Sequence, residues 1–228
     1  MAKWIKTEVR RQIADAITPL VSSAGFKYKK SASAFVRRID GGRQELNVSI
    51  ADYNPEFHFS LPLVIRLDAV QEITNSFSGS PAKYHDITVT TITQMEHLGL
   101  PFNQGKSFAY RVKSESEFVS ILPQVLDFVR NKVVPYFERY TTISAVNAGL
   151  NPPNAEHDAV SIPWPPDARA FDASNYPYRA MTAVVVAHLA NDPRFASLVS
   201  AYRGQIRQCD EEDRQKFENA VLHLRGSV

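Results

Sequence analysis

The sequence predicts an α+β protein: an antiparallel sheet of five or six strands, covered by an N-terminal helix and later helices, with a helical C-terminal annex. Three observations predict it. From Phe26 to Leu67 apolar residues recur at every second position within short runs, as in strands with one buried face. Ahead of them, Ile5, Val9, Ile13, Ile17, Leu20 and Ala24 fall three or four apart on one helical stripe. From Ser114 onward the spacing turns helical again.

In chain order, the first helix should run from about Lys3 to Ala24, kinked or ended near Pro19, with Gly25 in the left-handed region after it. Phe26–Lys30 and Ala34–Ile39 read as strands. Asp40-Gly41-Gly42 reads as a hairpin turn with residues suited to positive φ, and Gln44–Ala51 as the answering strand. After an Asn54-Pro55 loop, residues 57–67 place Phe57, Phe59, Leu61, Leu63, Ile65 and Leu67 on one parity. Pro62 on the other parity predicts an edge or a bulge. Val70, Ile73 and Phe77 suggest a short helix with an apolar face, while β-branched Asp86–Gln94 and Phe108–Val112 close the sheet.

Ser114 and Glu117 have capping-box spacing, and a broad apolar stripe follows from Phe118 to Tyr140, bent or divided at Pro123 and Pro135. Five prolines in 151–171 mark a connector. The predicted organisation is therefore a sheet domain over 1–150, the connector 151–171, and a helical region over 172–228. In that last region Asp192-Pro193 reads as an N-cap with proline at the first helical position, and Asp210 as the cap of a final helix carrying Phe217, Val221 and Leu224.

At 228 residues, 44% hydrophobic and 22% charged, the chain can bury a full core. A single cysteine, Cys209, excludes an internal disulfide and a cysteine-rich zinc site. The longest uncharged apolar run, Ala180 to Ala190, falls well short of the roughly 20 residues a bilayer requires. No apolar core of signal-peptide length opens the chain. The expectation is a cytoplasmic protein with no membrane partner.

Phosphate-loop, dinucleotide-type glycine, GxSxG and HExxH patterns are all missing. No catalytic residue, cofactor or metal ligand is assigned. The six histidines are scattered, and His85-Asp86 and His157-Asp158, as strand neighbours, would face opposite ways. A hydrolase would need a pocket in which a histidine meets a carboxylate. Around Cys209 the run Asp210-Glu211-Glu212-Asp213 disfavours a thiolate.

Charge distribution is more informative than the net +2. Residues 1–43 hold ten Lys or Arg against Glu8, Asp15 and Asp40, a net of +7 that leaves −5 for the rest. Such asymmetry suits an acidic partner. Lys27, Lys29, Arg37, Arg38 and Arg43 are the candidate partner-binding cations. Interleaved Phe26, Tyr28 and Phe35 could stack bases if exposed, which makes nucleic acid the alternative partner. Alternation, however, turns Phe26 and Tyr28 away from Lys27 and Lys29, so a protein partner is preferred. Trp164, framed by Pro163 and Pro165, is a further candidate anchor.

The run ITPLVSSAGFKYKKSASAFVRR resembles the opening of a bacterial family known as domain of unknown function 4304. There a helix leads through a Gly-Phe-Lys step into a basic strand and then an aromatic-x-Arg strand. Gly25-Phe26-Lys27, Lys29, Lys30 and Phe35-Val36-Arg37 carry the likeness, and Val133–Val146 resembles the helix before the family's end. The resemblance covers about the first two thirds of the chain in outline. It brings no catalytic residue. Small α+β domains of this type resemble immunity proteins, so the likeness implies a non-enzymatic module whose partner is another protein, such as a bacterial toxin.

Overall fold

Helix α1 (Lys6–Ser22) forms where the apolar stripe predicts it and buries Val9, Ile13, Ile17 and Val21. Pro19 lies in its last turn, too near the end to divide it. The helix closes at Gly25, φ +84°: Phe26 N–H donates to Val21 C=O at 3.1 Å and Gly25 N–H to Ser22 C=O at 3.0 Å. That pair of bonds is a Schellman cap, and Val21 and Phe26, at the two positions where such a cap has its apolar pair, are both buried. The computed structural model describes residues 5–99, 109–153 and 178–226. Trp164 and nearly all of the proline-rich stretch lie outside them.

The strands are β1 (Lys27–Lys29), β2 (Ala34–Ile39), β3 (Gly42–Asn47), β4 (Ser49–Asp52), β5 (Phe57–Ser60), β6 (Leu63–Leu67), β7 (Thr91–Thr93) and β8 (Tyr110–Val112). They form an antiparallel five-stranded sheet, ordered β1-β2-β3-β6-β7, and a three-stranded sheet, ordered β4-β5-β8. Two runs that read as single strands are each broken, which accounts for the second sheet. Residues 44–51 break at Val48, whose N–H donates to Ser33 C=O at 2.8 Å. Residues 57–67 break at Leu61-Pro62, where Asn47 N–H donates to Pro62 C=O at 2.9 Å. Proline offers no N–H to a ladder, so the chain bends there and changes sheet. Beyond the bend β4 and β5 pair in register from Ser49↔Ser60 to Asp52↔Phe57, and β5 pairs with β8.

The chain divides into two units. The first comprises the described residues of Met1–Ile39, Arg43–Val64 and Gln94–Arg139. Its helix α3 (Glu115–Phe128) is capped by Ser114, whose Oγ accepts from Glu117 N–H at 3.3 Å, while the Glu117 carboxylate accepts from Lys113 N–H at 2.8 Å. This is the predicted capping box shifted by one residue on its return bond. Pro123 sits inside α3. A π-turn over Val129–Val133 then leads into α4 (Val134–Arg139). The wider turn carries the helix past Pro135, which has no N–H to give to the preceding turn.

The second unit comprises the described residues of Asp40–Gly42, Ile65–Thr93 and Tyr140–Val228. Its centre is α6 (Tyr178–Leu189), where every residue from Ala180 to Ala187 is buried, as expected of a helix apolar all round. Around it pack α2 (Asp68–Ser78), α5 (Ile143–Leu150), α7 (Phe195–Gln205) and α8 (Glu211–Gly226). Three features of this unit depart from the expected pattern. Residues 86–94 yield β7 but start as a 3₁₀ helix, Ala82–Ile87. Asp192 does not cap α7, whose N-cap residue is Arg194. Its carboxylate instead accepts from Arg194 N–H at 2.9 Å, Arg194 Nη2 at 2.8 Å and Asn147 Nδ2 at 2.7 Å. Finally, α2 buries Val70, Gln71, Thr74, Asn75 and Ser78, while Ile73 and Phe77 of the predicted apolar face are only half-buried.

Candidate partner-binding face

Within the first unit, β1 and β2 pair as Lys27↔Val36, Tyr28↔Phe35 and Lys29↔Ala34. Paired residues share a side of the sheet, and alternation extends this to their neighbours. Phe26, Tyr28, Phe35 and Arg37 therefore share one side. Lys27, Lys29 and Arg38 share the other, all three exposed, with half-buried Val36 among them. Arg38 is diagonal to Lys27 across the pair, about 7–8 Å away by strand geometry. Lys30, at the start of the turn that follows β1, is exposed as well. Among the described residues none of these four cations has a carboxylate partner.

Arg37 behaves differently. Its Nε donates to Gln44 Oε1 at 2.8 Å, Nη1 to Ala24 C=O at 2.9 Å and Nη2 to Phe137 C=O at 3.0 Å, and its guanidinium lies 4.8 Å from the Phe26 ring centroid. Desolvation lowers its pKa, and Glu138 opposes that shift. Arg37 thus clamps α1, β3 and α4 of this unit to β2. Arg43 pairs with Glu45 at 2.5 Å, both little exposed. Arg11 is held on α1 by Glu8 and Asp15, at 2.5 and 2.6 Å. The five candidate cations therefore separate into Lys27, Lys29 and Arg38, which face outward, and Arg37 and Arg43, which the fold engages. The signal for Arg37 is its parity: it alternates with Val36 and so falls on the side of Phe35 and Phe26.

Phe26 and Phe35 are buried and Tyr28 is half-buried, its ring 4.9 Å from that of Phe35. These aromatics belong to the core side. Among the described residues of β1 and β2, the exposed face offers cations without a stacking platform.

One histidine does meet a carboxylate. His58 on β5 lies 2.9 Å from Glu56 Oε1, with the Tyr53 ring 4.5 Å from its own. The hydrogen bond from His58 lowers the Glu56 pKa, helped by Lys113 and Arg111. The remaining described rings are occupied: His85 bonds Ser80 C=O at 2.8 Å, His188 packs on Phe195 and His223 on Phe77. His157 and the side chain of His97 lie outside what the structure describes. Burial raises the Cys209 pKa, with Asp213 and Asp210 adding to it. Among the described residues no group of three or more His, Cys, Asp and Glu could hold a metal, and no helix is long and apolar enough to cross a membrane.

Comparison with family models, with curated proteins and with solved structures returns no match.

Proposed function

We propose that the chain is a non-enzymatic, immunity-like module of the cytoplasm that binds the acidic surface of another protein through Lys27, Lys29, Arg38 and the adjoining Lys30. One observation carries this reading. These cations are exposed together and have no carboxylate partner among the described residues, while Arg11, Arg37 and Arg43 are each engaged by the chain itself. Cations left without internal partners steer an oppositely charged surface and select against like-charged ones. The bacterial family likeness carried by Gly25-Phe26-Lys27 and Phe35-Val36-Arg37 supports the same kind of partner, a toxin being one of that class. Inward-turned aromatics make nucleic acid the weaker reading, because only phosphate contacts would remain.

The test is co-purification from the source cell with the tagged full chain, beside a K27E/K29E/R38E variant whose thermal melt is shown to match wild type. The expected result is a stoichiometric protein partner bound to wild type and lost from the variant. Retention by the variant overturns the reading. So does recovery of DNA or RNA in place of protein, released by salt with a slope matching about three to four phosphate contacts.

A further inference from the structure

We propose that the second unit binds a small neutral polyol, of monosaccharide size, in a pocket formed by α2, α6 and the segment from Ser80 to Val89. The pocket has a volume of about 200 Å³. At roughly 30 Å³ per water it has room for about six or seven waters, or for one sugar ring.

Its lining is unusual for a helical core. Gln71, Thr74, Asn75 and Ser78 occupy positions i, i+3, i+4 and i+7 of α2, a polar row about 10 Å long. All four are more than nine-tenths buried. Burying polar side chains is unfavourable unless their hydrogen bonds are met, and packing alone would favour an apolar row here. Instead Ile73 and Phe77 are left half-buried while the polar row faces inward. Departures of this kind from the local pattern are where function is expected.

The hydrogen bonds define what the pocket offers. Asn75 Nδ2 donates to Thr88 Oγ1 at 3.0 Å and to His85 C=O at 3.4 Å. A carbonyl can only accept, so this fixes the amide orientation and leaves Asn75 Oδ1 as an acceptor with no partner among the described residues. Thr74 donates its hydroxyl hydrogen to Val70 C=O at 2.8 Å, and Tyr178 donates its own to Ser78 C=O at 3.0 Å. Each hydroxyl keeps lone pairs and has no hydrogen left to give. Gln71 uses one N–H on Thr90 Oγ1 at 3.3 Å and keeps the rest of its carboxamide.

Along the α2 row a ligand must therefore donate several hydrogen bonds, while Gln71 and the lining hydroxyls of Ser80 and Thr182 can donate to it in return. An anion would face the lone pairs of Thr74, Asn75 and Tyr178 with no cation in the described lining to offset them. A cation would lose its hydration with no carboxylate to offset it, since the lining carries no Asp or Glu among the described residues. Neutral hydroxyls spaced around a ring meet the requirement, and Val89 and Tyr178 supply apolar surface for its C–H face.

The experiment is a titration of the ¹⁵N-labelled full chain with D-glucose, D-galactose and D-mannose, following the side-chain amides of Gln71 and Asn75, with adenine and inorganic phosphate as comparison probes. A saturable shift of both amides with at least one hexose, and none with phosphate or adenine, is expected. Thr74→Val removes an acceptor whose hydrogen only duplicates a helix bond, so it should weaken that hexose about five- to tenfold with an unchanged thermal midpoint. Thr182→Leu, which fills the pocket from α6, should abolish binding; should it fail to fold, Thr74→Val decides alone. The proposal is overturned if no hexose shifts these amides, if adenine or phosphate shifts them instead, or if Thr74→Val binds as tightly as wild type.

Discussion

Arg37 and Gln44 hold each other inside the first unit, and neither is useful there alone. Gln44 is fully buried, accepts twice from Arg37 and donates Nε2 to Phe137 C=O at 2.8 Å. Gln44→Leu takes the acceptor from a desolvated guanidinium and should lower stability by about 2–3 kcal/mol, read by chemical denaturation. Arg37→Met/Gln44→Leu replaces both polar partners by apolar ones and should recover part of that loss, so the double-mutant cycle should show strong coupling. Asp192 does comparable work in the second unit, with its side chain 5% exposed. Hydrogen bonds from Arg194 and then Asn147 outweigh desolvation and bring its pKa from 3.8 down to about 2. A carboxylate with a depressed folded pKa stabilises fully above its unfolded value and loses that contribution as pH falls through the folded one. Asp192 should therefore contribute about 2 kcal/mol above pH ~4 that disappears toward pH ~2. In Asp192→Asn the acid limb of a stability–pH curve should be flatter over that window.

At the level of the element, two neighbouring glycines in the β2–β3 turn act through different physics. Gly41 has φ +63° and nothing within 4 Å of where a methyl would project, whereas a Cβ on Gly42 would stand 2.0 Å from the Arg66 carbonyl oxygen. Gly41→Ala should cost only the left-handed strain, about 1–2 kcal/mol. Gly42→Ala presses on backbone that cannot turn aside and should cost about 3 kcal/mol or more, with soluble yield falling as well. Thermal melts of the two variants make the comparison. The need for glycine at this turn is legible in the sequence, but the approach of β6 is a fact of tertiary structure and is not. The same boundary runs through the other elements. Local signals such as the Gly25 cap, the Ser114 cap and the stripes of α1 and α8 are legible because their causes lie within a few residues. The division into two sheets depends on where Val48 and Pro62 meet partners far along the chain. The inward face of α2 is hidden from the sequence because Val70, Ile73 and Phe77 have helical spacing too, and only the hydroxyls and carbonyls of residues 80–90 make the polar face the better one to bury.

Across the whole chain, a net charge of +2 conceals a cationic opening and an acidic remainder. The folded first unit sharpens that contrast by engaging Arg11, Arg37 and Arg43 and leaving Lys27, Lys29, Lys30 and Arg38 outward. Candidate cations are thus legible in composition and the inward turn of Arg37 in its parity with Phe35, while the pairing of Arg43 with Glu45 is a fact of the fold. Electrostatic steering by such a cluster acts on encounter more than on residence, since long-range attraction is screened by salt and short-range contacts are not. With the co-purified partner in hand, the association rate should fall about tenfold or more between roughly 20 and 300 mM NaCl, with the dissociation rate changing much less. Charge reversal at Lys27 and Lys29 should remove most of that dependence, whereas Arg43→Gln, which alters a cation already paired to Glu45, should leave the salt slope close to wild type. A flat association rate in wild type would mean that apolar contacts, and not this charged face, bring the partner in.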